Sequence, residues 1–173
     1  MTATPIVVVV GNPKVASRTR SAGEAAADRI AELCGLEPQA RAVIELAELG
    51  PQLFDWSSAA VRAATETLAG ATVAVIATPV YKATYTGLLK AFLDWFGQTG
   101  LDGVVTVPLM VGAAANHALA VETHLRPLLV EIGATVPTRG LYLLESELEA
   151  IDEPLERWAA HAGPYLRRMV AGA

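Results

Sequence analysis

A single cysteine stands among 173 residues, so no disulfide framework can form within the chain. Cys34 alone cannot build a Cys-ligated zinc or iron–sulfur site either, and a reducing compartment suits it. Charge is sparse at 18%, with 13 Lys and Arg against 18 Asp and Glu for a net −5. No basic block occurs, and nucleic-acid affinity comes mostly from neutralising phosphates. A spanning helix needs about 20 apolar residues in a row, and none is present. The nearest candidate, Val104 to Val121, is broken by Pro108, Gly112, Asn116 and His117. Met1 to Pro5 lacks the basic n-region of a signal peptide. Internal repeats, low-complexity tracts and linkers are missing too. The expectation is a cytoplasmic protein with neither membrane nor nucleic-acid partner.

What is present is apolar: 53% hydrophobic residues and a mean hydropathy of +0.38. That excludes intrinsic disorder. At roughly 100 to 200 residues per domain, residues 1–173 make one domain with a sizeable core. Ile6-Val-Val-Val-Val10 is β-branched throughout and never alternates with polar residues. Such a strand is buried on both faces, the mark of a parallel sheet covered by helices. Gly11 ends it, Ser17 caps the next helix, and Gly35 stops that helix.

The alternation continues. Arg41 to Leu46 reads as a second strand, and Ser57 or Ser58 caps a helix stopped by Gly70. Thr72 to Ala77 is a third strand, broken by Thr78-Pro79, before an apolar helix from about Thr86 to Phe96. Val104 to Val111 is the fourth, followed by a helix from about Asn116 to Ile132. A fifth strand lies within Thr138 to Leu144, and Glu153 to Val170 is the last helix. This order predicts an α/β fold: a flavodoxin-like, doubly wound, five-stranded parallel sheet of order 2-1-3-4-5, with helices on both faces.

In such sheets ligands bind beyond the carboxyl ends of the strands, at the switch point between strands 1 and 3. Two loops meet there. Gly11-Asn-Pro-Lys-Val-Ala-Ser-Arg-Thr19 offers a glycine for close approach, hydroxyls at Ser17 and Thr19, and cations at Lys14, Arg18 and Arg20. It opens a helix, whose free N–H groups and positive dipole end attract anions. That donor set suits a phosphate monoester. The alternative is a plain helix cap with solvated cations. With one glycine, the loop is no G-x-G-x-x-G fingerprint, and without G-K-S/T it is no Walker A loop. The anion it suits is one terminal phosphate. Thr78-Pro-Val-Tyr-Lys-Ala-Thr-Tyr85 sets two tyrosines and a lysine beside the same point, which suits a flat conjugated ring. Its alternative is an ordinary loop with surface tyrosines.

The stretch from Ala77 through Thr78-Pro-Val-Tyr-Lys-Ala-Thr-Tyr-Thr-Gly-Leu-Leu-Lys-Ala-Phe-Leu to Asp94 resembles the signature of the NADPH-dependent FMN reductases. It is most similar to the branch that supplies reduced flavin to alkanesulfonate monooxygenases. Gly11-Asn12-Pro13 with Ser17-Arg18-Thr19 matches that family's G-S-P-x-x-x-S-R-S/T loop. Pro108 through Gly112 to Val121, then Leu125-Arg-Pro-Leu128, resembles its next segment.

The resemblance implies FMN as cofactor and NADPH or NADH as hydride donor. It places Ser17, Arg18 and Thr19 on the FMN phosphate. Pro79, Val80, Tyr81 and Lys82 line the ring and ribityl chain, and Gly112 sits at the ring's other edge. The chain departs from the pattern at Asn12, where the family has Ser, and at Ala113 and Ala114, where a hydroxyl contact is lost. No catalytic side chain is expected, because the cofactor carries the hard chemistry. A flavin-dependent monooxygenase is the implied partner. Rivals on the same fold are an FMN-bound quinone, azo or metal-ion reductase and a flavodoxin-type electron carrier.

Other groups suggest structural roles. His117, His124 and His161 lack an i,i+4 partner for a metal, so no metal site is expected. No G-x-S-x-G elbow occurs, and Cys34 near a helix C-terminus reads as an inert thiol. In the helix after the second loop, Leu89, Phe92, Leu93 and Phe96 make the stripe that covers a sheet. Leu88 and Trp95 fall outside it. They are expected to pack on another copy, with this helix in the contact of a homodimer or homotetramer, the alternative being cover by the chain's own last helix.

Overall fold

Five β-branched residues in succession favour extension, and Ile6–Val10 forms strand β1 with every side chain buried. The computed structural model describes residues 5–171, and the expectation for Met1 to Thr4 lies outside them. The other strands are β2 (Arg41–Glu45), β3 (Val73–Pro79), β4 (Val105–Gly112) and β5 (Leu141–Leu144). All pair in parallel, in the order β2-β1-β3-β4-β5. The expected order is the observed one.

The helices are α1 (Arg18–Cys34), α2 (Leu46–Leu49), α3 (Ala59–Ala69), α4 (Gly87–Leu93), α5 (Arg126–Glu131) and α6 (Asp152–Val170). Strand alternation divides the core. Ile6, Val8 and Val10 pack with Ala22, Ala26 and Ile30 of α1 and Leu155 and Leu166 of α6. Val7 and Val9 face Leu68 of α3, Phe92 of α4 and Leu129 of α5. Helices thus cover both faces, and α6 lies across the sheet from α4.

Capping follows the sequence closely. Ser17 and Ser58 accept hydrogen bonds from the N–H of Arg20 and Val61, and Gly35 closes α1 in the left-handed region at φ 66°. Cys34 is half-buried there, and burial pushes its thiol up against the opposing pull of Arg167.

Three of the expected spans need correction, and the fourth strand, with Pro108 inside it, stands where expected. Strand β3 runs on through Thr78 to Pro79, with Pro79 opposite Val111, because Pro79 is the last residue and its missing N–H costs nothing. Pro108 sits inside β4 for a related reason. Thr106 N–H points toward Thr135, so by parity Pro108 N faces the same side, where β5 has not yet begun. Helix α4 ends at Leu93, where Trp95 and Phe96 N–H groups tighten onto the carbonyls of Phe92 and Leu93. The span Asn116–Ile132 is not one helix: a 3-10 turn at Ala115–His117 and a π turn at Val121–Leu125 precede α5. Pro127 cannot donate to the Thr123 carbonyl, so a regular α ladder cannot run through it.

Trp95 is explained within the chain. Its indole N–H donates to the Leu53 carbonyl at 2.9 Å, and its ring lies 4.8 Å from that of Trp56. The last helix does not cover it. Among the described residues, no helix is long and apolar enough to cross a membrane.

Candidate functional site

Strands β1 and β3 are neighbours, yet their connections leave toward opposite faces, which opens a crevice at their carboxyl ends. Two hydrogen bonds join the loops there. Gly11 N–H donates to the Ala77 carbonyl at 2.8 Å, and Thr86 Oγ1 donates to the Gly11 carbonyl at 2.6 Å. Thr86 also caps α4 by accepting from Leu89 N–H at 3.1 Å. Glycine is required at position 11, since a Cβ there would lie 2.8 Å from Leu89 Cβ. The close approach it permits is that of helix α4.

The Gly11–Thr19 loop is braced from two sides. Asn12 accepts from Lys14 N–H at 2.9 Å and donates to Thr19 Oγ1 at 3.0 Å, so the residue that departs from the family pattern stitches the loop together. Ala16 N–H donates to both carboxylate oxygens of Glu45, at 3.0 and 3.1 Å. Ser17 and Thr19 are buried. The Arg18 and Thr19 N–H groups precede the first intrahelical bonds of α1 and point out of its N-terminus.

The three cations behave differently. Lys14 is exposed. Arg20 turns away, to Glu45 at 3.1 Å and Glu24 at 3.3 Å, which corrects its reading as a phosphate-facing charge. Arg18 pairs with Glu145 at 2.7 Å, an exposed partner from beyond β5.

Across the crevice, Val80 N–H donates to the Val111 carbonyl at 2.8 Å, tying the second loop to β4. Tyr81 and Thr84 exchange backbone hydrogen bonds of 2.8 and 3.2 Å around a two-residue turn. Its central residues, Lys82 and Ala83, have φ of 53° and 66°. Left-handed backbone at non-glycine residues persists only where the surroundings enforce it, and such positions gather at functional sites. Tyr81 is exposed, while Lys82 lies on the turn itself and Tyr85 is half-buried. Gly112 ends β4, and a Cβ there would sit 2.7 Å from Tyr142 Cζ. The Tyr142 hydroxyl donates to the Ala114 carbonyl at 2.6 Å, and burial pushes that phenol up.

The comparisons with known proteins bear directly on these loops. The family model described as NADPH-dependent FMN reductase matches residues 4–149, most of the chain. The chain belongs to this family. It is 32% identical to an FMN reductase (NADPH) of Escherichia coli strain K12, over 83% of this chain and 74% of that protein. It is 31% identical to the NADH-dependent FMN reductase SfnF of Pseudomonas putida, over 86% and 80%. Among solved structures, the apo form of the NADH:FMN oxidoreductase EMOB superposes with a TM-score of 0.79 at 28% identity, covering 96% of this chain and 88% of that one.

For a family member, the residues present fit the phosphate end of FMN. Two outward N–H groups, the buried Thr19 hydroxyl and an arginine within one residue of a helix N-terminus make an anion cradle. The structure brings Ser17, Arg18 and Thr19 to one side of the crevice. It brings Pro79, Val80, Tyr81, Lys82 and Gly112 to the ends of β3 and β4 on the other. Among the described residues, no group of three His, Cys, Asp or Glu side chains could hold a metal ion.

Three residues of this site escape a reading of the sequence. Thr86 is legible as an N-cap but not as a partner of Gly11. Tyr142 and Glu45 carry no local signal, since their partners lie 28 and 29 residues away. Tyr142 yields a prediction. Gly112→Ala should cost about 1–3 kcal/mol through overpacking against the tyrosine ring. A Gly112→Ala, Tyr142→Phe double variant should recover part of that loss, because the ring then keeps no hydroxyl in the way. Urea unfolding curves of both single variants and the double variant check this.

Proposed function

We propose that this chain is an NAD(P)H:FMN oxidoreductase that passes hydride from a nicotinamide nucleotide to N5 of FMN. The observation that supports it most is the convergence of the α1 N-terminal loop and the strained Tyr81–Thr84 turn on one crevice. FMN, when bound, supplies the hydride acceptor. The chain's own residues bind and orient. Ser17, Arg18 and Thr19 take the phosphate through backbone N–H groups, hydroxyls and one guanidinium. Pro79, Val80, Tyr81 and Lys82 line one edge of the ring, largely through backbone atoms, and Gly112 lies at the other. No side chain needs to act as acid or base. Purified protein given FMN with NADPH or NADH should consume the nicotinamide, with a rate that saturates in FMN. No consumption with either donor overturns the reading.

The chain acts as one domain in the cytoplasm, and its reduced FMN serves a flavin-dependent monooxygenase. It works as a homodimer or homotetramer. Phe54 and Trp56 support this, since they stand 76% and 63% exposed, with Trp56 packed on Trp95 just past the end of α4. Sedimentation equilibrium at micromolar protein should show a multiple of 18.1 kDa. A lone 18.1 kDa species, with and without FMN, sinks the assembly.

A further inference from the structure

We propose that Glu45 is a positioning residue for the phosphate loop. It does not touch the flavin, yet it sets the preference for phosphorylated over unphosphorylated flavin by holding the loop backbone in shape. The inference rests on the reading of Gly11–Thr19 as the phosphate site. Glu45 is the last residue of β2, and its side chain is only 5% exposed. Burying a carboxylate is costly unless it is paired and hydrogen-bonded. Here the partners are the Ala16 N–H, shared between both oxygens, and the Arg20 guanidinium at 3.1 Å.

The place where the carboxylate grips is informative. Ala16 has φ of 49°, a left-handed conformation unfavourable for a residue with a Cβ. It stands one residue before the N-cap Ser17, so its turn directs the following N–H groups outward along the axis of α1. A backbone in that region needs an external constraint, and Glu45 supplies it. Arg20 is spent on Glu45 and Glu24 and does not face the cradle. Phosphate affinity therefore depends on the orientation of N–H donors together with Arg18, and that orientation is what Glu45 controls.

The test is titration of FMN and riboflavin, by quenching of flavin fluorescence, into wild type and three variants. Glu45→Ala should weaken FMN by about tenfold, the scale of a lost charge-assisted hydrogen bond, and leave riboflavin unchanged. Glu45→Gln keeps an acceptor for Ala16 and should lose less. Adding Ala16→Gly to Glu45→Ala should restore most of the FMN affinity, since glycine adopts positive φ without steric cost. In turnover, KM for FMN should rise while kcat is kept.

Equal loss of both flavins, no loss of FMN, or failure of Ala16→Gly to restore it each overturns the role of Glu45. If the alanine variant does not fold, wild-type FMN affinity in Glu45→Gln overturns it. Wild type that binds riboflavin as tightly as FMN instead overturns the phosphate site itself, and the proposal with it.

Discussion

Phe92→Ala is expected to lower the free energy of unfolding by about 3–5 kcal/mol, the usual cost of emptying a fully buried aromatic position. Phe92 has no exposed surface, and it meets Phe96 edge-on at 5.8 Å with planes 80° apart. It belongs to the large buried cluster that also holds Val7, Val9, Leu89 and Leu93, so its ring is part of what seats α4 on this face of the sheet. For a domain of this size the loss corresponds to a midpoint lowered by roughly 6–20 °C. The effect should reach the crevice. Helix α4 carries Thr86 at its cap, and Thr86 holds the Gly11 carbonyl. Loosening the helix should therefore raise the Kd for FMN well below the melting point. Thermal unfolding and FMN titration on the same samples check both halves. A variant with wild-type stability would mean that the α4 face repacks without a cavity.

Arg18→Ala should weaken FMN by about 1.5–3 kcal/mol, or roughly ten- to a hundred-fold. Arg18 pairs with Glu145, but the two side chains are 67% and 43% exposed, and such pairs contribute only about 0–1 kcal/mol. A phosphate dianion at a helix N-terminus offers more, because helix dipole and charge act together. The guanidinium should therefore exchange its carboxylate for the phosphate. Two controls follow. Glu145→Ala frees the arginine and should tighten FMN slightly, and riboflavin should bind equally to wild type and Arg18→Ala. The α1 helix should survive, since Ser17 still caps Arg20 N–H. Unchanged FMN affinity in Arg18→Ala would remove Arg18 from the site.

Local physics was legible in the chain. Ile6 to Val10 could be nothing but a strand buried on both faces, because β-branching favours extension and no polar residue marks a solvent side. Ser17, Ser58, Gly35 and Gly70 marked helix ends because a cap is decided within four residues. The alternation of strands with helices led to the order β2-β1-β3-β4-β5, since right-handed crossovers leave few other arrangements. The switch point then indicated which two loops would meet.

The tertiary structure decided what those loops' side chains do, because each contact joins residues that no short window contains. Arg20 looks like a phosphate ligand in sequence and becomes a partner of Glu45, 25 residues on. Arg18 meets Glu145 across 127 residues. At Gly11 and Gly112 it is Leu89 and Tyr142 that occupy the space a Cβ would take, contacts that no short window of sequence contains. Trp95 looks unpartnered until Leu53 and Trp56 fold over it. Periodicity reports which face of an element is apolar, and caps report where it ends. Which charge neutralises which, and which backbone is held in a left-handed turn, depends on elements brought together only when the sheet closes.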